Sequence, residues 1–323
     1  MTEEVLERHK EMVGSHSARE LNINFRTKSY DNATSPDFPR HPGEILNMDG
    51  LRKWSTVTTA ASGIWTTIWA SCLRPGTAGR HGRSDHHHNR RSRRKYRQLG
   101  IYGEHATADQ GTCRIPMIIR WPGMKQGLVD ERLHYHLDLL PTVAELLGHD
   151  PMPDWDGTSY APVLRDGADC GRDYLVVSQC AHVVQRSVRF GDWMYIRSYH
   201  DGYHLFDKEM LFNLQEDPDE QRNVAADNRD VCMEAVYLLN QWHDEMMVRS
   251  GDDRDPLWTV MKEGGPFHAK GYLPGYLKRL EETGRSEQAA ELARRHPREF
   301  PPNPASEIEK LVRKRLTEQM GPH

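Results

Sequence analysis

The sequence predicts an α/β chain: part of a core sheet, followed by a smaller α+β unit built from antiparallel strands and a helix. Three stretches carry that prediction. Ile115 to Arg120 is a short apolar run closed by Trp121-Pro122-Gly123, the pattern of a buried strand stopped by a turn. Val183 to Ile196 alternates about Gly191-Asp192, a hairpin signal. Ala235 to Val248 has the spacing of an amphipathic helix. Before the apolar run lies a polar loop in which Glu104, His105, Thr107, Asp109 and Gln110 crowd between glycines. A polar loop feeding a buried strand is where α/β proteins place chemistry, although an ordinary surface loop has the same composition.

In chain order, residues 2 to 13 predict a short amphipathic helix with Val5, His9 and Met12 on one side. Ser15 to Gly50 is punctuated by proline (Ser35-Pro36, Phe38-Pro39, His41-Pro42-Gly43) and predicts an extended connector. Leu133 to Leu147 has helical spacing, with Pro141 in its first turn and Gly148 at its end. Asp138 precedes that helix, where a carboxylate favours the amino-terminal dipole. Asp173 to Ser178 and Met210 to Leu214 read as strands, and His200-Asp201-Gly202-Tyr203-His204 as a turn whose histidines make local hydrogen bonds. Beyond Gly251 the pattern is of isolated helices, such as Ser286 to Arg295, in a setting rich in proline and charge. The division that follows is 1–50 (helix and connector), 51–98 (an irregular segment), 99–170 (core remnant), 171–250 (antiparallel subdomain) and 251–323 (helical, partly extended tail).

Composition sets bounds on function. A chain of 323 residues can bury a sizeable core. Its mean hydropathy of −0.79 and hydrophobic content of 37% are polar for a globular enzyme, which points to a part that does not pack. A net charge of −4 gives no global pull toward nucleic acid or membrane. The five cysteines lack a Cys-x-x-Cys pair, which argues against a disulfide framework or structural zinc site and fits a reducing compartment. No apolar run is long enough to span a bilayer, and MTEEVLERHKEM reads as a charged helix rather than a signal peptide, so the expected location is cytoplasmic.

Arg114-Ile115-Pro116-Met117-Ile118-Ile119-Arg120-Trp121-Pro122-Gly123 resembles a segment of the sulfatase family, an arginine followed by val/ile-pro-leu-ile-ile-arg-trp-pro-gly. His136-Leu137-Asp138-Leu139-Leu140-Pro141-Thr142 is similar to that family's asp-leu-leu-pro-thr helix start. Trp155-Asp156-Gly157-Thr158-Ser159 is similar to its asp-gly-x-ser turn. Met210 to Glu220 resembles its tyr-asp-leu-x-x-asp-pro-x-glu signature. Each is weak alone, but four in order at plausible spacing are specific. The resemblance covers roughly residues 100 to 230, and more loosely the chain to about 300.

The resemblance implies hydrolysis of a small-molecule sulfate or phosphonate ester, with no nucleic-acid or membrane partner. The family's nucleophile is a cysteine or serine, in a cys/ser-x-pro-x-arg context, converted to formylglycine. Beside it sits a divalent cation (Ca2+, Mg2+ or Mn2+) held by acidic residues and an asn or his. This sequence departs from that pattern. Cys72 is followed by Leu73-Arg74-Pro75, with proline one place late, and no cysteine or serine stands two residues before any proline. The amino-terminal metal carboxylates have no counterpart, and Arg91 and Ser92 stand where the second metal pair belongs. The catalytic lysine position falls on Glu104, a departure that leaves its role open. His105, next along, is then the candidate general acid or anion contact, against the alternative of a plain loop histidine.

Residues 80–97 are rich in arginine and histidine. They could form a His/Asp metal site, an anion- or nucleic-acid-binding patch, or charge-repelling coil. The genetic code supplies a fourth reading. Arg91 to Arg97, read one base on, permits Asp-His-Gly-Glu-Asn-Ile-Gly, and Asp85 to Asn89 in the same offset permits only Ile or Thr. A β-branched strand ending in asp-his-gly is what sulfatases place before the loop at Gly100. A weaker match at Ile64 to Trp69 uses the other offset. The reading favoured is therefore a sulfatase-family hydrolase with a frame-shifted segment near 51–98, inactive as translated. The alternative is a non-catalytic binding protein that uses residues 80–97.

Overall fold

The computed structural model describes residues 2–21, 43–55, 86–89, 98–103 and 105–299. Most of the connector, the larger part of the 51–98 segment and Glu104 lie outside these. So do Cys72, Arg91 and Ser92 and the side chains of residues 86–89, so the frame reading and its binding alternative have no structural counterpart here.

The centre of the molecule is a four-stranded antiparallel meander of β3 (Tyr174–Gln179), β4 (Val184–Phe190), β5 (Trp193–His200) and β6 (Glu209–Asn213), in that order. Gly191-Asp192 is the connection predicted, and it places Phe190 opposite Trp193 and Val188 opposite Tyr195. Alternation along the strands sends side chains to two covered faces. Val188, Tyr195 and Leu211 face α6 (Arg229–Arg249), where they pack with Cys232, Ala235 and Leu239. Met194, Ile196, Met210 and Phe212 face the other way, against Leu99, Ile101 and Ala106 of the polar loop. That loop therefore rides directly on the sheet.

Arg186 points to the helix side. Its guanidinium lies over the Trp242 ring at 4.9 Å and holds both carboxylate oxygens of Asp255 (3.0 and 3.1 Å). Asp255 in turn caps α7 (Pro256–Lys262) by accepting from Leu257 N at 2.9 Å.

Helix α1 (Glu3–Glu11) is set by local rules. Thr2 Oγ1 accepts from Val5 N, Glu3 and Glu4 occupy the first turn, and Arg8, His9 and Lys10 the last. Its inner face is Leu6 and His9. Leu6 packs with Ala18, Leu21, Ile45, Tyr102 and the helical residues Leu51 and Trp54 of α2 (48–55). The described part of the connector is thus core rather than extended surface chain, because it carries the apolar residues that α1 needs. Glu20 within it is fully buried between Arg279 (2.9 Å) and Arg285.

A separate ladder pairs β1 (His86–Asn89) antiparallel with β2 (Met117–Arg120), Asn89 opposite Met117. The short helix α3 (Gln110–Cys113) leads into it. β2 was expected to be buried, yet it alternates between half-buried and exposed, and Ile118 is 70% exposed. An apolar run does not state how many faces of its strand are covered.

After a 3-10 turn at His136–Asp138 comes α4 (Leu139–Leu146), followed by Gly148 in a left-handed conformation (φ 82°). Asp138 makes no side-chain cap to α4. It is fully buried, accepts from Tyr135 N (2.7 Å) and Thr158 N (2.8 Å), and forms a two-pronged pair with Arg172. Its role is to tie three segments together, which outweighs any dipole effect on α4. The short helix α5 (Ala161–Asp166) follows that site.

The last two helices, α8 (Leu273–Glu282) and α9 (Ser286–Arg295), are not isolated. Leu277, Leu280, Ala289 and Leu292 close a core with Val13, Tyr203 and Tyr276. No helix among the described residues is long and apolar enough to cross a membrane.

Candidate functional site

The loop over residues 98–113 is fixed at several points. Leu99 and Gly100 both have positive φ (52° and 68°), a conformation that favours glycine at position 100, where a Cβ would also press on the end of the Met12 side chain. Tyr102 is buried, with its hydroxyl 2.7 Å from His9 Nδ1 and its N–H donating to His16 O at 2.8 Å. Gln179 Nε2 donates to the His105 carbonyl (3.3 Å), and Ala108 N donates to Gln185 Oε1 (3.1 Å). Asp109, fully buried, caps α3 by accepting from Thr112 N at 3.1 Å. Gln110 N donates to the Glu220 carboxylate.

Asp109, one of the polar residues that marked the loop, therefore holds its shape from inside, together with the buried Tyr102. His105 is half-buried beside β3, and Glu104 lies outside the described residues.

A second cluster was not foreseen. His200 ends β5 and Asp201 follows it, and His296 and Glu299 follow α9. His296 Nε2 lies 2.9 Å from Asp201 Oδ1, and its Nδ1 lies 3.4 Å from Glu299 Oε1. His200 Nδ1 accepts from Gly202 N (3.0 Å), so its Nε2 carries the proton given to Glu299 Oε1 at 2.8 Å. The Tyr203 hydroxyl is 2.5 Å from Glu299 Oε2 and 2.6 Å from the Ala269 carbonyl.

Burial by itself pushes the His296 imidazole down, but the Asp201 and Glu299 carboxylates outweigh it and hold it up at about 9. Burial pushes Glu299 up, and the hydrogen bonds from His200, His296 and Tyr203 bring it down to about 2. Asp201 is likewise held low against burial, chiefly by His296. His204, as the turn reading predicted, faces the carbonyls of Asp201 (3.0 Å) and Ser15 (2.9 Å), and burial pushes its pKa down.

His200, Asp201 and His296 offer ligand atoms within 4.8 Å of one another, a spacing open to a metal ion. The donor set is nonetheless matched from within. His296 gives its two nitrogens to two different carboxylates, and His200 has one nitrogen committed to the backbone. The geometry is that of a charge network joining α9 to the sheet. Sequence reasoning missed it because its halves lie 95 residues apart; the one local sign was the histidine-rich turn itself.

Comparison with known proteins places this framework. Residues 103–245 match the family described as N-sulphoglucosamine sulphohydrolase, C-terminal. The chain is 30% identical over 125 residues to a choline-sulfatase of Rhizobium meliloti, covering 37% of this chain and 23% of that protein. It is 28% identical over 137 residues to arylsulfatase K of Danio rerio, covering 40% and 26%. A phosphonate monoester hydrolase of Agrobacterium radiobacter superposes with a TM-score of 0.33 at 24% identity, over 45% of this chain and 30% of that one, too loosely to carry an argument. The chain spans about a quarter of the length of these two curated relatives. Residues 103–245 are thus similar to a carboxyl-terminal sulphohydrolase domain, and the relatives named here are sulfatases.

Proposed function

We propose that this chain is a sulfatase-type hydrolase of sulfate esters whose catalytic segment has been lost to a change of reading frame, so that it does not turn over substrate as translated. The observation that carries the family half of this reading is the match over residues 103–245, flanked by relatives named as sulfatases. The inactive half rests on departures in and just before the stretch the resemblance covers: the position for the catalytic lysine holds Glu104, and Arg91 and Ser92 stand where the second metal pair belongs.

The family's divalent cation would need acidic ligands, and the residues present do not fit it. Arg91 and Ser92 occupy the place of one pair, and the histidine network at α9 is internally matched. In this reading the 98–113 loop, fixed on the sheet, presents His105 toward substrate as an anion contact or proton donor, and Glu104 opposes the negative charge of a sulfate ester.

The test is incubation of the purified chain with 4-nitrophenyl sulfate in Ca2+, Mg2+ or Mn2+. No metal-dependent release of 4-nitrophenol is expected; sustained metal-dependent turnover overturns the inactive reading.

A further inference from the structure

Residues 1–21 and the helices α8 and α9 lie outside the stretch 103–245 that matches the family, at opposite ends of the chain, and they pack on each other. Val13 sits in one core with Leu273, Leu280 and Leu292. Gly14 N donates to the Tyr276 hydroxyl at 2.6 Å, and Glu20 accepts from Arg279 Nε at 2.9 Å and from Arg285. Residues 12–21 are turns and bends rather than helix or strand, so they hold their course largely through such contacts.

The same segment carries the front of the candidate loop. The His16 carbonyl accepts from Tyr102 N at 2.8 Å, Met12 packs against the cluster of Leu99 and Ile101, and His9 Nδ1 lies 2.7 Å from the Tyr102 hydroxyl. The back of the loop is held from the sheet. Gln185 on β4 accepts from Ala108 N at 3.1 Å, and Gln179 on β3 donates to the His105 carbonyl at 3.3 Å. His105 thus lies where one support gives way to the other.

The far end of α9 is locked to the connection between β5 and β6. His296 Nε2 lies 2.9 Å from Asp201 Oδ1, Arg295 Nη1 donates to the Phe206 carbonyl at 2.7 Å, and Tyr203 rests in the core of α8 and α9. A continuous run of contacts therefore leads from that connection through α9 and α8 to residues 13–16, and from there to Tyr102.

We propose that α8 and α9 form a latch on the candidate loop: locked at Asp201 and His296, they hold residues 13–16 against Tyr102, and their release loosens residues 99–103 while the sheet keeps residues 106–110 in place. Coupling of this kind is reciprocal, so a ligand that fixes the front of the loop also tightens α9. The latch goes beyond the hydrolase reading, because it governs the order of the loop whatever the loop meets.

The experiment is hydrogen exchange of the full chain at pH 7, read at single amides by NMR. His296→Gln removes the charge of the lock. Tyr276→Phe removes the hydroxyl that receives Gly14 N and keeps the ring in its core. Each variant is expected to raise exchange at Tyr102 about tenfold or more, the loss expected when one hydrogen bond of a locally opening unit is removed. His296→Gln raises exchange along α9 as well. The amide of Ala108 and those of β4 and β5 keep their wild-type rates.

Release of α9 with Tyr102 exchanging as in the wild type overturns the latch, and so does wild-type exchange at Tyr102 in Tyr276→Phe. Where His296→Gln also raises exchange across β4 and β5, the whole chain has loosened, and Tyr276→Phe alone then decides. Turnover of an aryl sulfate bears on the hydrolase reading and not on the latch.

Discussion

His296 Nε2 lies 2.9 Å from Asp201 Oδ1, and this contact joins the end of α9 to the turn after β5. Its electrostatics make the stability of the chain depend on pH in a defined way. The folded His296 has a pKa of about 9, above its ordinary value near 6.5, so its contribution is complete below about pH 6.5 and is lost as pH rises through 9. Glu299, at about 2, contributes fully above about pH 4.5 and loses that contribution as pH falls toward 2. Thermal melts from pH 3 to 10 should give a dome with its top between about pH 4.5 and 6.5 from these two groups. His296→Gln should flatten the alkaline limb; an unchanged limb would remove His296 from that role.

Glu20 supplies the second prediction. Its buried carboxylate pairs with both Arg279 and Arg285, and Arg285 is itself only 3% exposed. Glu20→Ala leaves a buried guanidinium without its counter-charge and should cost about 3–5 kcal/mol in denaturant unfolding. A loss below 1 kcal/mol would mean that water reaches Arg285.

The sheet core supplies the third. Ile196 is fully buried on the face that carries the 98–106 loop. Ile196→Ala should destabilise the chain by about 2–5 kcal/mol through lost burial and the cavity left behind. It should also raise hydrogen exchange at Ile101 and Ala106, which rest on that side chain's cluster; exchange unchanged there would uncouple the loop from the sheet.

Arg186 and Asp255 supply the fourth. Both are nearly buried and joined by two hydrogen bonds, so Arg186→Met leaves Asp255 with only Leu257 N and the His243 ring (3.3 Å) against its charge. The single variant should lose about 3–5 kcal/mol, and adding Asp255→Asn should restore part of it, since the stranded charge is removed. Additive losses in chemical denaturation would contradict the coupling.

Much of the fold was legible because the signals are local. Gly191-Asp192 marks the hairpin, and Ser286 to Arg295 is helical over the span its pattern predicts. The pattern does not carry what each face meets. Ile118 is as apolar as Ile196, yet one is open and the other buried. Asp138 stands where a dipole-favouring carboxylate belongs, but Arg172 lies 34 residues on and claims it. The α9 network needs Asp201 and His296 together, a juxtaposition set by the packing of α8 and α9 on Tyr203 and by no spacing in the sequence. At the loop, motif order singled out His105 as a candidate, while the burial of Tyr102 and Asp109 is not written in their residue types.

The measurement that most directly tests the proposal of a sulfatase-type chain with a frame-shifted segment is the sequence of its encoding DNA from about codon 50 to codon 100. The proposal predicts that the one-base offset spells Ile and Thr over residues 85–89 and Asp-His-Gly-Glu-Asn from Arg91 onward, returning to frame near Gln98. Codons at Arg91 to Arg97 whose wobble bases exclude that reading would contradict it, and the His/Arg segment would then be a designed part of the protein.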